Sequence, residues 1–347
     1  MDGTISSRGT RFSRLRAFAL HRTESPGNDL RRSELIKIGV LGTGFGIVHL
    51  QTFQNHPLVN EVVFFSRTQS KVDKISAEMG LKGTTVLDDI LCDPAVDAVT
   101  IALPHALHAR TAIAAMEHGK DVICEVPICP TLEEAEEIAE VSSNTGKSVL
   151  VNLFSRFNPA HCFLQEKIKT GEYGKLISLQ LVNRNAPVWG PMPLGLDILP
   201  LESCACDFDW LYWCLGELSL SSNVSIGLKN RACIDMLLRG PEEIPVQMTC
   251  STLMPLSYGV KERIDATFEK AAIVYQETSW SNEGNSSELS VYDDEQKHII
   301  GLPKCNHYYA SLTYSLERII DGRAGITDLQ QAIPALRLGL ELKHNLS

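Results

Sequence analysis

Ile36-Lys37-Ile38-Gly39-Val40-Leu41-Gly42-Thr43-Gly44-Phe45-Gly46-Ile47 is the stretch from which the rest of the chain can be read. A short, mostly apolar strand pattern runs straight into a glycine cluster, and a helical pattern follows. Glycines at such a point permit a tight turn and let backbone amides approach a pyrophosphate. The start of the next helix then adds partial positive charge. The usual fingerprint puts its third small residue at position 47, which is Ile here, while Gly46 stands one place earlier. The alternative is a doubly wound fold whose glycines only make the turn. The strand–turn–helix setting within a βαβ series points instead to dinucleotide binding by Gly42, Thr43, Gly44, Phe45 and Gly46.

Outward from this loop the pattern repeats. Glu61 to Ser66, Ala98 to Leu103, Asp121 to Cys124 and Ser148 to Val151 read as further strands. Helical stretches at Gln69 to Met79, Ala106 to His118 and Leu132 to Ser143 lie between them. The last opens on Thr131-Leu132-Glu133-Glu134, a capping box in which Thr131 and Glu134 each satisfy the other's free amide. Strands alternating with helices of this length imply a parallel α/β sheet. After Asn152 the rhythm changes. A helix is predicted over Ala160 to Lys169, with strands at Leu176 to Val182, Asp235 to Leu238, Val246 to Leu253, Ile264 to Thr267 and Ala272 to Tyr275. Helices at Asp207 to Leu215 and Tyr308 to Ile320 interrupt them. Several strands with few crossover helices predict a mostly antiparallel sheet, hence a second, α+β domain. The expected organisation is a Rossmann domain over 34–152 and a substrate and oligomerisation domain over 153–347. An Arg- and Ser-rich extension, 1–33, precedes them and reads as a disordered tail.

Composition narrows the function. The 347 residues are 44% hydrophobic and 21% charged, with a formal net charge of −10. That balance suits a globular protein and argues against nucleic-acid binding, which needs clustered Lys and Arg. No apolar run approaches the ~20 residues of a membrane span. The ten cysteines are scattered through apolar segments, as expected of reduced thiols in the cytoplasm. Neither the Cys124/Cys129 nor the Cys204/Cys206 spacing is that of a usual zinc site, so no metal is expected.

The end of the second strand bears on the cofactor. A site preferring NAD would place an acid there for the ribose hydroxyls; this chain has Ser66-Arg67-Thr68. Arg67 can pair with a 2′-phosphate and Ser66 can donate to it, so NADP(H) is favoured over NAD(H). The plainer alternative is a solvated loop arginine.

The chain resembles the Gfo/Idh/MocA group, which includes glucose–fructose oxidoreductase and inositol dehydrogenase. The resemblance spans about residues 36 to 347. It rests on the glycine loop and on Asp97 to His108, which ends Leu103-Pro104-His105-Ala106-Leu107-His108. Further blocks are Gly119 to Pro127, which ends Glu125-Val126-Pro127, Arg156-Phe157-Asn158-Pro159, and Asp209 to Glu217. It implies a Rossmann domain followed by an open, mostly antiparallel sheet, with the active site between that sheet and the nicotinamide. It also implies a C-terminal helix that returns to the first domain, and homo-oligomerisation through the exposed sheet face. The implied chemistry is hydride transfer between a nicotinamide and a hydroxyl-bearing or keto carbon of a sugar, sugar derivative or cyclitol. The cofactor would then also line Leu103, Pro104, His108, Glu125 and Pro127.

Removal of a hydride from carbon requires removal of the hydroxyl proton, hence a positioned base. In this family the roles usually fall to a Lys within Glu-Lys-Pro and to an Asp-x-x-x-His pair. Here Val126 stands at the Lys position, Glu202 at the Asp position and Cys206 at the His position. Glu202 retains a carboxylate able to take the proton, directly or through water. Cys206 is a poorer base, because a thiol is mostly protonated at neutral pH. Glu202 and Cys206 are the catalytic candidates. The structural alternative makes Glu202 a helix cap and Cys206 a small core residue. A protein that binds the dinucleotide without turnover, such as a redox sensor or assembly partner, is the rival reading, because the Lys and His are missing together. His161 and Tyr173 are further candidates for the cleft. Trp189, Trp210, Trp213, Tyr308 and Tyr309 read as core or interface.

Overall fold

Strands that are apolar on both faces need helices on both sides, which a parallel sheet with crossover helices provides. β1 (Ile36–Leu41) is such a strand, with Ile38, Val40 and Leu41 fully buried. The computed structural model describes residues 35–188, 194–282 and 284–346; the extension 1–33 and Trp189 lie outside them. From Ile36 onward the described chain packs as one unit.

Its first half runs β1, α1 (Gly46–Phe53), β2 (Val59–Phe65), α2 (Gln69–Met79), β3 (Lys82–Thr84), α3 (Asp88–Leu91) and β4 (Ala98–Ile101). It continues through α4 (His108–Glu117), β5 (Asp121–Cys124), α5 (Leu132–Thr145) and β6 (Val149–Val151). The strands are all parallel in the order β3-β2-β1-β4-β5-β6, so the chain reverses its winding between β1 and β4. In such sheets ligands bind at this reversal, beyond the carboxyl ends of the strands. Thr131 Oγ1 accepts from the Glu134 amide at 3.2 Å as expected, but the return half of the capping box is absent: Glu134 Oε2 has no partner.

The second half begins with a 3-10 turn, Phe154–Phe157, and α6 (Pro159–Thr170). Then come β7 (Leu176–Asn185), α7 (Leu199–Leu215), β8 (Ser219–Leu228), β9 (Arg231–Arg239), β10 (Pro245–Ser251), β11 (Val260–Phe268), β12 (Ala272–Ser279), β13 (Ser286–Tyr292) and β14 (Lys297–Ile300). The chain ends in α8 (His307–Asp321) and α9 (Leu329–Asn345). The second sheet has the order β14-β13-β12-β11-β7-β10-β9-β8 and is antiparallel except between β7 and β10. The fold is thus an α/β Rossmann sheet joined to an open, mostly antiparallel one.

Both terminal helices bridge the halves. Leu312 and Leu316 of α8 are fully buried with Ile36, Ile38 and Val40 of β1, worth roughly 1.5–3 kcal/mol apiece. α9 sends Leu329, Ala332 and Leu336 to the first core and Leu338 and Leu342 to the second. Arg156 fastens the junction: its guanidinium donates to both oxygens of Asp209 at 2.6 and 2.9 Å and to the Ile326 carbonyl at 2.9 Å.

One expectation needs correction here. α7 starts at Leu199, not at Asp207, because Pro200 suits a first helical turn and its missing amide costs nothing there. Glu202 therefore sits inside the first turn instead of ahead of the helix. Cys206 follows one turn later on the same face.

Candidate active site

The glycine loop is shaped by one close approach. Gly42 has φ +112°, and a Cβ there would lie 2.4 Å from the Ala102 carbonyl oxygen of the β4 end. Only glycine fits, which brings the β1 and β4 ends together at the winding reversal. At Gly44 an added Cβ would meet no heavy atom within 4 Å, so packing does not require that glycine. Clear space above a backbone turn ahead of α1 suits a pyrophosphate, which needs the main chain bare. Thr43 Oγ1 donates to Ser66 Oγ at 2.8 Å and joins the loop to the end of β2. Ser66 is buried, and Arg67 beside it is exposed with no ion pair among the described residues.

Beneath the cleft lies a chain of buried polar groups. Glu125, at the end of β5, accepts through Oε1 from Asn152 Nδ2 at 2.7 Å and lies 2.6 Å from His49 Nε2. A carboxylate only accepts, so His49 Nε2 donates to Glu125, while its Nδ1 lies 2.6 Å from Thr100 Oγ1. Glu125 is thereby fixed in orientation. His108 is buried beneath the two loops, its ring nitrogens 2.7 Å from the Pro127 carbonyl and 2.8 Å from the Leu103 carbonyl. Burial lowers its pKa in spite of both carbonyls. With both ring nitrogens turned to these carbonyls, His108 braces the Leu103-Pro104 and Val126-Pro127 segments. Val126 packs into the first core and supplies no charge.

From the second half, α7 lays Glu202 and Cys206 along this cleft. Glu202 Oε1 lies 2.6 Å from Nδ1 of His105, the first residue after Pro104, and the two side chains keep 25% and 22% exposure. That residual access is what a proton carrier needs. Cys206 is different: burial, then the carboxylates of Asp207, Glu125, Asp209 and Glu202, push its thiol well above the usual range. A thiol so placed stays protonated. Tyr308, at the start of α8, stacks on Phe154 at 4.2 Å and touches Phe45 of the glycine loop at 5.2 Å, closing one flank.

The far wall is polar where the second sheet would otherwise be apolar. Asn183, Glu262 and Glu277 stand side by side in the register of β7, β11 and β12. Asn183 donates to Asp207 at 3.3 Å; burial, then Glu262, pushes the Asp207 carboxyl up to about 8. His161 Nε2 lies 3.1 Å from both Glu262 oxygens. Burial opposes charge on both, yet the pairing outweighs it, so His161 is raised and Glu262 lowered. Tyr173 instead packs against Phe268. Trp210 is fully buried against His161, whereas Tyr309 is exposed.

The geometry thus assembles the predicted residues from four loops and a helix, and adds ones that sequence reasoning missed. His105 lay inside a quoted block, but nothing local ties it to Glu202, 97 positions away. His49, Asn152, Asn183 and Glu262 carried no signal at all, since each acts through a partner distant in the chain.

Comparison with known proteins agrees with this layout. Residues 36–153 match the Gfo/Idh/MocA oxidoreductase family, NAD-binding Rossmann fold. Inositol 2-dehydrogenase of Corynebacterium glutamicum is 26% identical over 251 residues, 69% of this chain and 73% of that one. 4-Carboxy-2-hydroxymuconate-6-semialdehyde dehydrogenase of Sphingobium sp. is 35% identical over 139 residues, 40% of this chain and 44% of that one. Among solved structures, KijD10, a 3-ketoreductase from Actinomadura kijaniata in complex with NADP and TDP-benzene, has a TM-score of 0.77 at 16% identity. It covers 89% of this chain and 97% of that one, a likeness of fold. Among the described residues no helix is long and apolar enough to cross a membrane.

Proposed function

We propose that this chain, whose residues 36–153 match the Gfo/Idh/MocA oxidoreductase family, transfers a hydride between NADP(H) and a sugar, sugar derivative or cyclitol. The reacting carbon bears the hydroxyl in one direction and the carbonyl in the other. The relatives named above support a small polar substrate, and residues 34–152 and 153–347 divide the work between cofactor and substrate. A bound nicotinamide supplies the hydride donor or acceptor. Gly42 to Gly46 take the pyrophosphate, Ser66 and Arg67 the 2′-phosphate, and the Leu103-Pro104 and Glu125 to Pro127 segments, braced by His108, form the floor.

The observation that carries the reading is the 2.6 Å contact of His105 with Glu202. It supplies what the chain lacks at Val126 and Cys206: a titratable pair, about a quarter exposed, that can hold a proton. In oxidation the hydroxyl proton passes to Glu202 or, through the ring, to His105; in reduction it returns to the carbonyl oxygen. Glu202 is the proton carrier and His105 its partner, while Cys206, held as a neutral thiol, lines the wall beside them.

Fluorescence titration with NADPH and NADH, followed by a turnover screen over cyclitols and sugars, tests this. Tighter binding of NADPH together with turnover is expected. Tight binding with no turnover of any polyol or ketose would favour the dinucleotide sensor, and failure to bind either nucleotide would remove the cofactor assignment.

A further inference from the structure

Tyr308 stands in the first turn of α8 with its ring held on two sides, 4.2 Å from Phe154 and 5.2 Å from Phe45 between ring centres. Phe45 belongs to the glycine loop after β1, and Phe154 follows β6. In the sheet order β1-β4-β5-β6, a ring that touches both lies across the ends of β4 and β5. The Leu103-Pro104 and Glu125 to Pro127 segments begin there, so Tyr308 stands over the floor of the cleft. Leu312 and Leu316, four and eight residues on along the same side of α8, are fully buried in the first core and hold the helix start in place.

A phenylalanine would fill this sandwich equally well; the phenol adds only its hydroxyl. That hydroxyl makes no hydrogen bond among the described residues, yet it is not one of the polar atoms sealed from solvent without a partner. The ring is walled in while the oxygen keeps access to the cleft. A tyrosine hydroxyl at such a site ordinarily finds a partner. Burial, then the nearby Glu125 and Cys206, pushes the phenol well above its usual range, so it keeps its proton and can donate it in a hydrogen bond. Cys206 beside it is a neutral thiol and a weak donor. Glu202 lies one turn from Cys206 on the same face of α7, so Glu202 and Tyr308 look onto one cleft.

We propose that the Tyr308 hydroxyl is a catalytic hydrogen-bond donor to the reacting oxygen of the substrate. The proposal rests on the oxidoreductase reading above and adds a group to its chemistry. In reduction the carbonyl carbon takes the hydride, the electron pair of the C=O π bond moves to oxygen, and the proton that completes the hydroxyl comes from Glu202. Tyr308 transfers nothing. It donates a hydrogen bond that strengthens as negative charge develops on that oxygen. In oxidation the same bond favours departure of the hydroxyl proton to Glu202.

Tyr308→Phe keeps the ring and its stack and removes an oxygen that has no protein partner, so the fold is retained, as an unchanged melting temperature would confirm. The test uses the full chain with NADP+ and the polyols of the screen, and with NADPH and its ketoses. Single-turnover hydride transfer is followed by NADPH absorbance and nucleotide binding by fluorescence. The variant is expected to lose about tenfold or more in the hydride-transfer rate in both directions, with NADPH affinity unchanged. The loss should fall short of the roughly 10²–10³-fold of a sealed oxyanion hole, because this hydroxyl keeps access to water. A rate within twofold of wild type would overturn the proposal and leave the oxidoreductase reading intact. So would a loss confined to NADPH affinity, which would put the hydroxyl on the cofactor. Tight NADPH binding with no wild-type turnover of any polyol or ketose would overturn both.

Discussion

At the residue scale, the proposed function gives Arg67 and Glu202 different parts of the chemistry. Arg67 stands where an NAD-preferring site needs an acid, exposed at the end of β2 and free to meet a phosphate. A charge-assisted contact to a 2′-phosphate is worth about 1.5–3 kcal/mol. Arg67→Ala should therefore weaken NADPH roughly ten- to hundredfold and leave NADH nearly unchanged, as read by fluorescence titration. An equal loss for both nucleotides would mean that Arg67 does not read the phosphate. Asp207 offers a second test, of the wall itself. Burial and Glu262 raise its folded pKa to about 8 from an ordinary 3.8, so the protonated form suits the fold. The stability of that form is fully present below pH ~4, is lost as pH rises, and is gone above pH ~8. Asp207→Asn has no such loss. Its melting temperature relative to wild type should climb between pH 5 and 9, and a flat difference would place Asp207 in contact with water.

At the scale of elements, Arg156 shows how the halves are held at the geometry the site needs. It ties the 3-10 turn after β6 to α7 through Asp209 and to the α9 start through Ile326, all nearly out of solvent. Removing one member leaves a buried charge without its partner, which typically costs 3–5 kcal/mol. Arg156→Met should lower the urea midpoint accordingly, with no change in the slope; replacing Asp209 by Leu as well should recover part of the loss. A midpoint shift under ~1 kcal/mol would mean that the pair is not buried in solution. The legibility of elements followed how local their signals are. β1 and α2 match their sequence readings residue for residue, since strand and helix periods were intact and bounded by glycine. β8, Ser-rich and largely exposed, and the first two turns of α7, with Ser203, Cys204 and Cys206 in place of a clean apolar stripe, offered no such period. Glu202 and Cys206 were found by matching the family's Asp-x-x-x-His pair, but the His105 that contacts Glu202 lay 97 positions away.

At the scale of the whole molecule, the arrangement is a Rossmann sheet whose winding reversal faces the polar end of an open antiparallel sheet. α7 spans the gap with Glu202 at one side and Asp207 at the other, and α8 and α9 lock the two cores together. The function proposed here rests on a proton site built from both halves, Glu202 with His105, in place of Val126 and Cys206. Single-turnover reduction of bound NADP+ by a neutral polyol, compared between wild type and Glu202→Gln, tests this most directly. A loss of roughly 10²–10⁴-fold in the hydride-transfer rate, with NADPH affinity unchanged and the pH dependence of the rate abolished, is the predicted result. A rate within a few-fold of wild type would show that the proton leaves by another group and that the His105–Glu202 pair only braces the cleft.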